Sequence, residues 1–130
     1  VAVPANMKVG LAQDEIARRG WAVEAKDAIP LVGRPDVIFV DLRETAERER
    51  RGVIPGSVHA PYPDLRANVA PGGMLHALAA ATGKRLLFYC AFGERSAMAV
   101  QAAQDAKLGS ACHVQGGVDA WKEAGGPLTS

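Results

Sequence analysis

Short apolar runs alternate with longer amphipathic stretches along most of this chain. Two runs rich in aliphatic and aromatic residues, at 37–41 and 85–89, have the length and composition of buried strands. Shorter runs at 57–60 and 111–114 predict two further strands. Because short apolar strands that alternate with helices are covered on both faces, the pattern predicts an α/β fold with a mostly parallel central sheet and helices on both sides.

Amphipathic spacing predicts helices between these strands, and polar residues or glycines mark the helix ends. The chain before the first clear strand is harder to assign and shows short helical patterns at 11–20 and 23–29. Residues 61–73 contain several prolines and glycines and predict an irregular segment. The remaining helices are expected over 46–51 after an N-cap at Thr45, 74–81 before a C-cap at Gly83, 96–108 between caps at Ser96 and Gly109, and 118–124 before Gly125.

The length of 130 residues suits one domain with its own core. We expect a single domain over residues 1–130, in which residues 1–22 form an N-terminal extension or first helix and residues 23–128 form the core. The formal charge is +1, and the densest charge run, at 43–51, mixes four Arg with three Glu. A basic stripe is therefore absent from the sequence, so no nucleic-acid partner is expected. The apolar runs are too short to predict a membrane partner.

Cys90 has the most informative position in the chain, because it closes the second clear apolar run and precedes a predicted helix. The unpaired N–H groups and the positive dipole end of a helix N-terminus stabilise a thiolate, which is the nucleophilic form of cysteine. The alternative is a small buried hydrophobe, the commonest state of an unpaired cysteine. Gly93, Arg95 and Ser96 follow in order, and together they favour the nucleophile. Asp41 ends the first clear strand, and ligands of open α/β sheets sit beyond such strand ends.

Four pieces of the sequence resemble, in the same order, the motifs of the rhodanese-like (sulfurtransferase) family. Together they cover roughly residues 23–128. The pieces are Asp41-Leu42-Arg43-Glu44 at a strand end, residues 52–61 with a G-h-I-P-G-A-x-h-like pattern, the loop 90–96 with the CxxGxRS pattern, and residues 115–127 with a G-G-x-x-x-W…G-x-P-like pattern. The resemblance implies a single rhodanese-like domain that acts as a sulfurtransferase.

The resemblance also implies a mechanism and a set of site residues. Cys90 would take a sulfane sulfur from an anionic donor such as thiosulfate, hold it as a persulfide, and pass it to cyanide or a thiol. Backbone N–H groups of the following loop would cradle the persulfide and the donor oxyanion. The substrate-binding residues would be Ala91, Phe92, Gly93, Glu94, Arg95 and Ser96, with Asp41, Arg43 and Glu47 in support. No cofactor and no metal are expected, since the cysteines and histidines show no ligand spacing.

Several residue roles stay open at this point. Arg95 could bind the substrate anion directly, or it could pair with a carboxylate of Glu47 or Asp41 and hold the loop rigid. Glu94 departs from what a site for anions requires, because its negative charge could weaken thiosulfate binding or select a different donor. Phe92 could be an exposed loop residue or the apolar wall of a pocket.

Other candidate residues are expected to be structural. Asp41 and Arg43 could form a strand-end cap and a surface ion pair, although the resemblance favours a scaffold near the site. The loop contains no histidine, so a Cys–His catalytic pair is not expected. The residues expected to have structural roles are Cys112, His59, His113 and Trp121.

Fold does not decide the reaction, because phosphatases and arsenate reductases share this architecture. Residues 90–95 span six positions, as in sulfurtransferases, whereas the dual-specificity cell-cycle phosphatases have a longer loop that accommodates phosphate. A non-catalytic partner-binding module is a further alternative, although modules of that kind usually lack the cysteine. A protein could also be the sulfur acceptor. A working thiol suits a reducing compartment, so a cytoplasmic location is expected, with a periplasmic or processed form left open.

Overall fold

A single parallel sheet organises the chain. The computed structural model describes residues 13–130. Its strands are β1 (Ala22–Glu24), β2 (Val37–Asp41), β3 (Val58–His59), β4 (Arg85–Tyr89) and β5 (Cys112–Gln115). They pair in the order β1-β5-β4-β2-β3, and every neighbouring pair is parallel. The predicted parallel α/β sheet is therefore confirmed.

Helices connect the strands and lie on both faces of the sheet. Two short 3₁₀ turns, Ile29–Leu31 and Tyr62–Asp64, also connect elements. The helices are α1 (13–18 within the described residues), α2 (Ala25–Ala28), α3 (Thr45–Arg51), α4 (Leu65–Val69), α5 (Met74–Thr82), α6 (Glu94–Asp105) and α7 (Gly117–Glu123). Among residues 13–130, no helix has the length and apolar composition needed to cross a membrane.

Successive side chains of a strand point to opposite faces of the sheet, so the strands contribute to two separate cores. One face of the sheet packs against α1, α4, α5 and α6, and includes Val40 and Phe88. The opposite face packs against α2 and α7, and includes Phe39 and Trp121. These two rings meet edge to face with centroids 5.7 Å apart, and the Trp121 indole N–H donates to the Pro127 carbonyl at 2.9 Å. Trp121 is thus the core anchor that was expected.

The structure corrects several expected element boundaries and caps. Residues 22–24 are a strand that pairs with β5, not the start of a helix, and α4 lies inside the segment expected to be irregular. Helix α3 begins at Thr45 itself, because Glu47 Oε1 accepts the backbone N–H of Glu44, which becomes the N-cap. Helix α6 ends at Asp105, and Lys107 rather than Gly109 takes the positive φ, at 69°. The expected helix residues 11 and 12 lie outside the described residues.

Candidate active site

The loop between β4 and α6 places Cys90 at the carboxyl edge of the sheet, where the end of β2 also lies. The N-terminus of α7 holds this loop from the opposite side. The backbone N–H of Val118 donates to the Cys90 carbonyl at 2.9 Å, and that of Asp119 donates to the Ala91 carbonyl at 3.1 Å. Both loop carbonyls therefore point away from the sulfur, which leaves N–H groups on the side that faces it.

Two backbone N–H groups donate to the sulfur of Cys90. It is fully buried, and it accepts the backbone N–H of Gly93 at 3.1 Å and that of Ser96 at 3.4 Å. The Ser96 hydroxyl oxygen lies 3.7 Å away. These groups belong to the first turn of the twelve-residue helix α6 or to its N-cap. Such a setting stabilises negative charge on the sulfur.

Two glycines make this loop geometry possible. Gly93, the N-cap of α6, has a φ of 100°, in the left-handed region that side chains rarely adopt. A Cβ on Gly117 would lie 2.5 Å from the Cys90 carbonyl oxygen. The expected N-cap of this helix was Ser96. That expectation was wrong: Ser96 is the third residue of α6, and its hydroxyl donates to the Gly93 carbonyl at 3.2 Å.

Arg95 connects the loop to helix α3 through Glu47. The two terminal guanidinium nitrogens each donate to one carboxylate oxygen at 2.8 Å, in a parallel pair of bonds. These bonds hold the pKa of Glu47 down to about 2 and raise the pKa of Arg95. Glu94 Oε1 lies 3.7 Å from Arg95 Nε, so the guanidinium also offsets the charge of Glu94. Of the two partners considered for Arg95, the structure selects Glu47.

We predict that Glu47→Gln destabilises the fold in a pH-dependent way. The pKa of Glu47 is lower in the folded chain than its ordinary value of 4.5, so the carboxylate stabilises the fold above that pH. This contribution is lost as pH falls toward 2. Urea unfolding should show a free energy lower by about 1 kcal/mol at pH 7, and a smaller difference at pH 3. Glu49→Gln on the same helix is the control, and an equal Glu47→Gln effect at both pH values would contradict the assignment.

Asp41 lies at the centre of a buried polar cluster beneath the loop. Arg43 donates to it from Nε at 3.0 Å and from Nη2 at 2.9 Å, and the Arg43 side chain is only 1% exposed. Arg48 Nε and the Tyr89 hydroxyl also donate to Asp41 Oδ2, at 3.1 and 2.9 Å. The surface ion pair considered for Asp41 and Arg43 is therefore wrong, because both residues are buried.

The same cluster joins the ends of β2 and β4 to the chain that enters β3. Burial and the Asp41 charge raise the pKa of Tyr89 to about 12, so its hydroxyl remains a donor. Tyr89 in turn accepts the backbone N–H of Ile54 at 3.2 Å and lies 2.9 Å from Ser57 Oγ. Arg43 Nη2 donates to the Gly52 carbonyl at 2.7 Å. Asp41 and Arg43 thus hold helix α3, which carries Glu47, through the hydrogen bonds with Arg48 and Gly52.

A pocket of about 280 Å³ borders the loop on the side of α3. Phe92, which is 51% exposed, forms part of its wall, so it is both an exposed residue and a pocket residue. Arg50 and Arg51 are exposed, and neither makes an ion pair within residues 13–130. The pocket is lined by Arg43, Glu47, Arg50, Arg51, Ala91, Phe92 and Val118. Since Glu47 is already paired with Arg95, Arg50 and Arg51 give this pocket a net positive charge.

The buried residue His113 makes a contact with the Cys90 loop that its expected structural role does not include. Its Nδ1 lies 2.7 Å from Ser96 Oγ, one hydroxyl away from the Cys90 sulfur. His59 has the structural role that was expected of it, since its Nε2 lies 2.7 Å from the Arg43 carbonyl oxygen. The strand order would have placed His113 near the loop, because β5 neighbours β4 and His113 pairs with Phe88, two residues before Cys90. That order is not visible in local sequence patterns.

The chain belongs to the rhodanese-like family: the model of the rhodanese-like domain matches residues 24–124. It is similar to a protein of unknown function from Rhodopseudomonas palustris described as a possible tyrosine phosphatase, with 35% identity, 98% of both chains covered and a TM-score of 0.82. It is also similar to a rhodanese-related protein from Thermoplasma volcanium, with 29% identity, 82% of this chain and 95% of that chain covered, and a TM-score of 0.65.

A human single-domain sulfurtransferase shares the fold at 23% identity, with 79% of this chain and 96% of that chain covered and a TM-score of 0.62. No curated protein matches this chain. The family resemblance of the four sequence motifs is thereby confirmed.

Proposed function

We propose that this protein is a sulfurtransferase that moves a sulfane sulfur from an anionic donor, such as thiosulfate, to cyanide or a thiol. The observation that carries the proposal is the sulfur of Cys90, which accepts two backbone N–H groups at the N-terminus of α6. Membership of the rhodanese-like family supports the same reaction class. The donors are held by helix geometry, so they need no rearrangement when negative charge develops on sulfur.

The proposed reaction has two displacement steps. In the first, the Cys90 thiolate attacks the sulfane sulfur of thiosulfate, a new S–S bond forms, and the old S–S bond breaks with its electron pair leaving on sulfite. In the second, cyanide attacks the outer persulfide sulfur, a C–S bond forms, and thiocyanate leaves as the Cys90 thiolate is regenerated. A thiol acceptor replaces cyanide in the same step, with its own sulfur as the nucleophile. Covalent catalysis of this kind requires a nucleophile activated by its surroundings, which the N–H groups supply.

The pocket beside the loop supports an anionic donor. Its lining includes the exposed residues Arg50 and Arg51 and the loop residues Ala91 and Phe92, which follow Cys90 in the chain. Thiosulfate has five heavy atoms, so a pocket of about 280 Å³ is larger than one such anion. The remaining space is consistent with an acceptor larger than cyanide, including a thiol or a protein side chain.

We predict that the double substitution Arg50→Gln, Arg51→Gln weakens thiosulfate binding. The KM for thiosulfate should rise by about three- to tenfold at low salt with little change in kcat, because the two charges attract the anion without touching the reacting sulfur. Raising the salt concentration should reduce the difference. Arg34→Gln with Arg66→Gln removes the same charge elsewhere on the surface and should leave the KM unchanged. An equal rise in both double variants would count against this pocket as the donor site.

Phosphate-monoester hydrolysis is a second candidate, favoured by the description of the Rhodopseudomonas palustris neighbour as a possible tyrosine phosphatase. Two features of the loop argue against it. The loop from position 90 to position 95 has only six residues, whereas the dual-specificity cell-cycle phosphatases have a longer loop that accommodates phosphate. Arg95, the guanidinium in that loop, has both terminal nitrogens on Glu47 and so is not directed at a bound anion.

The two candidate reactions are separated by measuring them on one preparation. Thiocyanate formation from thiosulfate and cyanide should be readily measurable, whereas hydrolysis of a small aryl phosphate should be negligible in comparison. Cys90→Ser shows whether either activity belongs to this site. Rapid aryl phosphate hydrolysis that depends on Cys90, without thiocyanate formation, would replace the sulfurtransferase proposal by the phosphatase.

A further inference from the structure

A buried histidine lies behind the Cys90 loop and reaches the sulfur through one hydroxyl. His113 Nδ1 is 2.7 Å from Ser96 Oγ, and Ser96 Oγ is 3.7 Å from Cys90 Sγ. None of the three residues has solvent-exposed surface. A continuous line of polar groups therefore runs from the imidazole on β5, through the first turn of α6, to the sulfur at the end of β4.

The contacts of Ser96 show which ring nitrogen carries the proton. Burial lowers the pKa of His113 to about 4, so the ring is neutral at pH 7 and has a single N–H. Ser96 Oγ also lies 3.2 Å from the Gly93 carbonyl, to which it can only donate. With the proton on Nδ1, Ser96 accepts from His113 and donates to Gly93, and both contacts are hydrogen bonds. With the proton on Nε2, Ser96 can satisfy only one of them.

The other ring nitrogen leads to the same tautomer. His113 Nε2 is buried and has no hydrogen-bond partner within the part of the chain that the structure describes. A buried N–H without a partner is rarer in proteins than a buried acceptor without one. Both observations place the proton on Nδ1, which makes His113 a donor to Ser96.

We propose that His113 is a positioning residue for Cys90 and acts through Ser96. Its Nδ1–H occupies a lone pair of the Ser96 hydroxyl, so the hydroxyl proton is free to turn from the Gly93 carbonyl to the sulfur when the thiolate forms. The hydroxyl is then a third donor to sulfur, beside the N–H groups of Gly93 and Ser96. The ring neither gains nor loses a proton in this role. The consequence for sulfur transfer rests on the proposed function, whereas the effect on the thiolate itself does not.

The proposal can be tested by substitutions of His113 and Ser96, which leave the charged groups on the elements around the loop unchanged. Any change in thiolate reactivity between variants can therefore be assigned to His113 and Ser96. These charged groups are Arg43 after β2, Glu47, Arg50 and Arg51 of α3, Glu94 and Arg95 of α6, and Asp119 of α7.

Alkylation of Cys90 by iodoacetamide tests the proposal in a Cys112→Ser background, in which Cys90 is the only cysteine. At pH 7, Ser96→Ala should slow alkylation by roughly three- to tenfold, because the sulfur loses one donor to its charged form. His113→Leu should slow it by a similar factor, because the Ser96 hydroxyl loses the N–H that positions its oxygen. At pH 10, which is above the ordinary pKa of a cysteine thiol, the rates should converge. Convergence separates thiolate stabilisation from access of the reagent to the sulfur.

Two amide variants distinguish the position of the donor from the bulk of the ring. In His113→Asn the side-chain NH₂ can donate from about the position of Nδ1, and the alkylation rate at pH 7 should return close to the parent rate. In His113→Gln the amide extends toward the position of Nε2, and the rate should stay low. This pair keeps the test decisive if His113→Leu does not fold.

Two further measurements exclude a merely structural role. His113→Leu combined with Ser96→Ala should slow alkylation no more than either single change, because both act through one hydroxyl. Val114→Ala, buried on the opposite face of β5, should lower stability and leave the alkylation rate at pH 7 unchanged. The proposal is overturned if the two single effects multiply, if the slowing persists at pH 10, or if His113→Gln alkylates as fast as His113→Asn. Absence of sulfur transfer in the parent, with this alkylation pattern intact, would overturn the proposed function alone.

Discussion

Replacing Cys90 by serine should reduce sulfur transfer from thiosulfate to cyanide to the uncatalysed rate. A serine hydroxyl does not ionise at neutral pH and cannot carry the sulfane sulfur, so no persulfide can form. Steady-state thiocyanate formation at equal protein concentrations measures the effect. A loss of about a thousandfold or more is expected, as for the removal of other covalent nucleophiles.

Cys112→Ser is the matched control, because the chain has only these two cysteines. Cys112 lies in β5, packs in the core on the α7 side of the sheet, and has a pKa raised by burial. It therefore lacks the donors that favour a thiolate at Cys90, and its substitution should leave most of the activity. Substantial turnover by Cys90→Ser, or its loss in Cys112→Ser, would show that the nucleophile has been assigned to the wrong residue.

Asp41→Ala should give the largest loss of stability among single changes near the site. It leaves the guanidinium of Arg43 buried without its carboxylate, and removes an acceptor of Arg48 and Tyr89. Breaking a buried ion pair by removing one partner costs about 3–5 kcal/mol, because an uncompensated charge stays in the interior. Urea unfolding at pH 7 should show a decrease of that size in the free energy of unfolding.

Asp36→Ala is the matched control for this change. Asp36 pairs with Arg34 at 3.5 Å, and the two side chains are 66% and 58% exposed, so water already screens the interaction. Its substitution should change the free energy of unfolding by about 0.5 kcal/mol or less. A similarly small effect for Asp41→Ala would mean that the cluster does not hold the end of β2 in place.

The strands that carry the site could be predicted from the sequence to the residue. β2 and β4 are central and mostly buried, so each is a continuous apolar run with polar residues or glycine nearby. β1 was missed for the opposite reason. It has three residues, none fully buried, and exists only because it pairs with β5, about ninety positions away in the sequence.

The candidate site was predictable in its position more than in its contacts. Local patterns placed Cys90 and Asp41 at strand ends, and the parallel sheet brings those ends to one edge. The partner of Arg95 depends on how α3 packs beside α6. Asp41 already accepts hydrogen bonds from Arg43 and Arg48. Arg95 therefore pairs with Glu47 instead. Such competition between neighbouring side chains is a property of the packed structure and has no signature in residue spacing.

The most direct test of this account is the mass of the protein after incubation with thiosulfate and removal of the excess reagent. We expect each chain to gain one sulfur atom, to carry it on the peptide that contains Cys90, and to lose it when cyanide is added. An unchanged mass, or an extra sulfur found on Cys112 instead, would contradict the assignment of Cys90 as the sulfur carrier.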